Sequence, residues 1–113
     1  MTATQLQGEK ALKSAEKSFR DWAVHHGVSV ARVLPTALFE ERNPVTTIYI
    51  FFPTNGDLNR YQETQQLKEI ELFYRKCLAE ALYPTDRFPV TFHFDSNEHV
   101  EKAYGGNLYN YLR

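Results

Sequence analysis

Residues 88–95, Phe88-Pro89-Val90-Thr91-Phe92-His93-Phe94-Asp95, alternate between apolar and polar side chains. Successive side chains of an extended chain point to opposite faces, so Phe88, Val90, Phe92 and Phe94 share one side and Thr91, His93 and Asp95 the other. This is the pattern of a strand with one face in a core. Just beyond it, Asp95-Ser96-Asn97-Glu98 has an acidic or hydroxyl residue, two spacers and a glutamate, the signature of a helix start. A short helix is therefore expected to about Tyr104, ended by Gly105-Gly106. The tail, Asn107–Arg113, alternates again, with Leu108 and Leu112 opposite Tyr109 and Tyr111, and reads as a final strand.

Upstream, Val45-Thr46-Thr47-Ile48-Tyr49-Ile50-Phe51-Phe52 is dense in β-branched and aromatic residues and predicts a second strand. A partner strand spans Val28 to about Glu40, joined to it through the turn-forming Glu41-Arg42-Asn43-Pro44, so the two make a hairpin. Pro35 lacks an amide proton and calls for a bend or an edge position there. After Pro53-Thr54-Asn55-Gly56, Asp57 is placed to cap a helix reaching about Leu82 along the stripe Leu67, Ile70, Tyr74, Cys77, Leu78 and Ala81, with Pro84 as the stop. Its early part, Gln62 to Gln66, is polar all round, so the first turns are expected to project or bend. At the other end of the chain, Leu12, Ala15, Phe19, Trp22 and His26 step by three and four, which predicts an amphipathic helix from about Gln7 to His26 closed by Gly27. Glu9 with Lys13 and Glu16 with Arg20 stand in the favourable i, i+4 order.

The element order is thus α-β-β-α-β-(α)-β. The expected fold is an α+β two-layer sandwich, a mostly antiparallel sheet of about four strands with two long helices on one face. The 113 residues, 42% hydrophobic and 24% charged, suit one domain, 1–113, with residues 1–6 frayed. Thirteen Lys and Arg against fourteen Asp and Glu give a formal charge of -1, which supplies few phosphate contacts and argues against a large nucleic-acid footprint. No run approaches the roughly 20 apolar residues of a membrane span, and the polar segment Thr2–Lys10 lacks the apolar stretch of a secretory signal. A soluble, cytoplasmic protein without membrane contact is expected. Cys77 is the single cysteine, so an intrachain disulfide or multi-cysteine zinc site is excluded.

One layer of helices leaves a sheet with a second face to account for. If Ile48, Ile50 and Phe52 meet the helices, then Thr47, Tyr49 and Phe51 point away, as do Thr91, His93 and Asp95, and Tyr109, Tyr111 and Arg113 from the tail. Tyrosine offers a large apolar area with a polar tip at low rotamer cost, which suits a surface meeting another molecule. The reading is a small non-catalytic protein-binding module of regulatory, inhibitory or immunity type, needing no cofactor. Its binding residues are Tyr49, Phe51, His93, Tyr109, Tyr111 and Arg113, and its partner is another protein or a second copy of the chain. The plainer account is that these rings only pair across strands or are covered by self-association.

Two rivals attach to the same face. Aromatic rings on a sheet can stack unpaired bases, but the aromatic motif of RNA-recognition folds is missing. His93, Asp95 and His99 combine imidazole and carboxylate, which suits a divalent metal or a small acid–base enzyme, although no established ligand spacing is matched and capping already accounts for Asp95 and Glu98. Elsewhere, His25-His26 at a helix end fits charge–dipole stabilisation. Cys77 on an apolar stripe reads as a small buried hydrophobe. No nucleophile elbow or phosphate-binding loop is present.

Overall fold

A computed structural model describes residues 3–38 and 45–113. The first helix, α1 (Ala3–His25), turns its Ala11, Leu12, Ala15, Phe19 and Ala23 inward, all of them buried. Gly27, at φ +68°, ends it, and the Val28 amide reaches back to the Ala23 carbonyl at 2.9 Å. That pairing closes the helix end as a left-handed glycine turn does. Next come β1 (Arg32–Leu38) and β2 (Val45–Phe52), antiparallel from Arg32 opposite Phe51 to Leu38 opposite Val45. The expected Glu41-Arg42-Asn43-Pro44 turn lies outside the described residues. Pro35 sits in β1, which is an edge strand of the β1-β2-β3 sheet, where a missing amide proton is tolerated.

The expected single helix over 57–82 is two helices, α2 (Asn55–Glu63) and α3 (Gln66–Glu80). The break falls in the all-polar Gln62–Gln66 stretch, where Gln65 takes a left-handed φ of 61°. With no apolar stripe there, nothing holds a continuous helix to the core. The N-cap of α2 is Thr54 rather than Asp57: the Thr54 hydroxyl oxygen accepts the Asp57 amide at 3.1 Å. α3 buries Ile70, Tyr74, Cys77 and Leu78 and stops before Pro84.

β3 (Val90–Ser96) runs parallel to β2, with Tyr49 opposite His93 and Phe51 opposite Asp95. The sheet is therefore three-stranded and mixed, not a mostly antiparallel sheet of four. A chain that leaves β2 through two helices re-enters at the same end, and parallel pairing follows from that crossover. α1 and α3 pack on each other over one face, whose core includes Phe19, Ile48, Ile50, Phe52, Tyr74 and Leu78. The α+β class stands, but the second of the two long helices expected on one face is divided into α2 and α3, and α2 adds Tyr61 to the same core. Among the described residues no helix is long and apolar enough to cross a membrane.

After β3 come α4 (Asn97–Tyr104) and α5 (Leu108–Leu112), so the tail expected as a fourth strand is a short helix. Gly105 and Gly106, at φ +59° and +78°, turn the chain, and the Asn107 side chain then accepts the Asn110 amide at 3.2 Å. Leu108 and Tyr111, three apart, share the inner side of that helix, whereas Tyr109 on the other side is 74% exposed. A run of seven residues satisfies a period of two and a single helical turn equally well. The cap decided which.

Candidate functional site

The face of the sheet away from α1 and α3 is laid out in rows by the strand register. One row is Arg32, Phe51 and Asp95, the next Leu34, Tyr49 and His93, the third Thr36, Thr47 and Thr91. The expected outward set from β2 and β3 is on this face. What differs is the tail, which arrives as α5 and lays Tyr111 across the first row. The Tyr111 ring meets Phe51 edge-on at 5.5 Å between centres, Tyr49 at 6.4 Å and Tyr104 at 5.4 Å. Phe51, expected as a contact residue, is 0% exposed beneath this cover.

The Tyr111 hydroxyl bonds two side chains and, through Asp95, is linked to a third. It donates to Asp95 Oδ2 at 2.6 Å and accepts from His93 Nε2 at 2.8 Å. His99, on the first turn of α4, donates through Nδ1 to the same Asp95 oxygen at 2.9 Å. Asp95 Oδ1 accepts the Ser96 amide at 2.8 Å. Since a carboxylate only accepts, Tyr111 and His99 are the donors, and that fixes a proton on His99 Nδ1 and on His93 Nε2. Burial pushes the Asp95 carboxyl up, but the bonds from Tyr111, His99 and the Ser96 amide outweigh it and hold the group below the usual carboxylate range. Burial, then the neighbouring Asp95, raises the Tyr111 hydroxyl well above an ordinary phenol.

The helix start is also placed differently from expectation. Ser96, not Asp95, caps α4 by accepting the His99 amide at 3.0 Å, which frees Asp95 to bind side chains. Ser96 also bonds to Asn55 of α2, and the Asn55 amide donates to Glu98 at 2.9 Å. The starts of the two helices that follow the parallel strands β2 and β3 are thereby clipped together.

Tyr49, His93, Asp95, His99, Tyr111, Leu112 and Arg113 line a shallow open depression. Of the residues expected to bind, Tyr49, His93, Tyr111 and Arg113 meet there, Phe51 is buried against the Tyr111 ring, and Tyr109 lies on the outer side of α5. Around it, Tyr104 and Leu112 are exposed at 38% and 39%. Sequence reasoning missed Arg32, Leu34, Tyr104 and Leu112. The first two follow from the β1 register, and the others from reading Asn107 as a helix cap. The metal candidates His93, Asp95 and His99 meet only through hydrogen bonds. Among the described residues no three His, Cys, Asp or Glu form a ligand cluster.

The other singled-out residues are occupied structurally. His25 and His26 donate from Nδ1 to the Asp21 and Trp22 carbonyls at 2.7 and 2.9 Å. Cys77 is buried in α3, and burial pushes its thiol up, away from the reactive thiolate. Comparison of the chain with protein-family models, with curated proteins and with solved structures finds no match.

Proposed function

We propose that the chain is a small protein-binding module, of regulatory, inhibitory or immunity type, that works without catalysis through the sheet face beside α5. One observation carries the reading. α5 covers the row of Phe51 and Asp95 but leaves Tyr49, Leu34 and the threonine row accessible, with Leu112 lining the depression beside Tyr49 and Tyr109 exposed on the outer side of α5. A joined surface of tyrosine, leucine and hydroxyl groups suits a protein interface, where aromatic anchors supply most of the affinity. It suits a second copy of the chain or a different protein, and a reducing cell compartment in which buried Cys77 stays a thiol.

Tyr49→Ala and Tyr109→Ala should weaken association with the native partner by about tenfold or more, while the thermal midpoint stays within a few degrees of the parent. Affinity capture from the native host and solution mass measured in parallel separate a foreign partner from a second copy. Unchanged capture and unchanged mass in both variants would refute the reading.

A second reading draws on the Asp95–His99 pair, in which a carboxylate fixes one imidazole nitrogen and leaves the other for acid–base work at the depression. Under it, His99→Ala would abolish a turnover that Tyr49→Ala spares. Under the binding reading, neither His93 nor His99 has a turnover to lose.

A further inference from the structure

We infer that the partner of this face presents a segment rich in aspartate and glutamate, which Arg32 and Arg113 grip beside the tyrosine rings. The inference rests on the protein-binding reading and adds the chemistry of the partner. It begins with how the described arginines are used. Arg20, Arg60 and Arg75 hold the carboxylates of Glu16, Asp57 and Glu71 at 3.1, 3.1 and 3.0 Å. Arg87 lies over the Phe88 ring. Arg32 and Arg113, the two at the candidate site, are in no ion pair among the described residues.

Arg32 is exposed on the edge strand, in the row of Phe51 and Asp95. Arg113 lines the depression with Tyr49 and His93, its guanidinium 6.0 Å from the centre of the Tyr109 ring. The only carboxylate among the outward sheet residues just described is Asp95, and its oxygens already accept from Tyr111, His99 and the Ser96 amide. Nearby Glu98 is held by Lys102 at 2.7 Å and by the Asn55 amide. Arg32 and Arg113 thus hold no carboxylate among the described residues, Arg113 resting only against a tyrosine ring, while the carboxylate of Asp95 is spent on internal donors. A guanidinium binds a carboxylate through paired, charge-assisted hydrogen bonds, and arginine with tyrosine is the pairing that dominates protein interfaces. A nucleic-acid strand would instead call for a continuous cationic track along its backbone, and two arginines do not make one.

The test uses the full chain, labelled with nitrogen-15, and three probes: a short peptide alternating tyrosine with aspartate and glutamate, the same peptide with lysine replacing the acids, and an oligouridylate of matching charge. The acidic peptide should shift the amide signals of Leu34, Thr47, Tyr49, Thr91 and His93. The double variant Arg32→Glu, Arg113→Glu should lose about tenfold or more in affinity for it and gain affinity for the lysine peptide. An unchanged thermal midpoint checks that the variant folds, and Arg32→Lys, which keeps the charge but not the paired donors, should bind more weakly than the parent and more tightly than Arg32→Glu. Equal binding of the lysine peptide, shifts confined to the lysines of α1, tighter binding of oligouridylate, or no binding of the acidic peptide would each overturn the inference. Should the acidic peptide fail while Tyr49→Ala still releases a native protein partner, only the acidic chemistry falls. If Tyr49→Ala changes nothing either, both fall.

Discussion

At the scale of single residues, the Tyr111 hydroxyl is the group through which the tail meets the sheet. Tyr111→Phe keeps the ring contacts and removes both hydrogen bonds, leaving Asp95 with one donor fewer. It should destabilise the fold by about 1–2 kcal/mol in urea unfolding. Asp95 titrates below its unfolded value because its donors favour the ionised form. Its contribution is thus complete above about pH 4, the ordinary carboxylate range, and lost as pH falls through the lower folded pKa. Asp95→Asn should flatten this part of the acid limb in thermal melts run from neutral to acidic pH, and a carboxyl carbon titration of the parent should place Asp95 below the exposed carboxylates. The Tyr74 hydroxyl gives the opposite case. It is buried in α3 with no hydrogen-bond partner among the described residues, and burial lifts its ionisation well above that of an ordinary phenol. A buried donor without a partner costs desolvation for no return, so Tyr74→Phe should raise stability by about 1 kcal/mol on the same urea measurement.

At the scale of elements, the caps decide where helices begin and end. Thr54 holds the first turn of α2, and Thr54→Ala should cost about 1 kcal/mol, read as a lower thermal midpoint. Expectation placed that cap at Asp57 because both residues are good capping types and both precede the apolar positions. The difference is one helical turn, which periodicity alone does not resolve. The break at Gln65 was foreshadowed by the polar Gln62–Gln66 run, since a helix is kept whole mainly by the apolar face it buries. The tail shows the limit of pattern reading most clearly. Leu108, Tyr109, Tyr111 and Leu112 alternate as a strand would, yet the Asn107 cap and the paired glycines before it set a helical turn.

At the scale of the whole molecule, the α+β plan was legible because each main element carries its own period: three and four in α1 and α3, two in β2 and β3. The outward parity of Tyr49, Phe51, His93 and Asp95 was legible for the same reason. Strand pairing was not. Whether β3 lies parallel or antiparallel to β2 depends on the path of α2 and α3 between them. Residues of four separate elements therefore meet at the site: Tyr49 from β2, His93 and Asp95 from β3, His99 from α4, and Tyr111 from α5, with Arg32 of β1 in register beside Phe51.

The amino-acid order by itself determined the helical character of α1 and α3, the extended character of β2 and β3, and the side of those strands that faces the core, since side-chain spacing is a local property written along the chain. Only the tertiary structure decided that the sheet stops at three strands, that Phe51 is roofed by Tyr111, and that Asp95 binds a tyrosine and a histidine instead of capping a helix. Those outcomes come from contacts between segments remote in the chain. They are settled by which surfaces bury each other's apolar area and satisfy each other's polar groups.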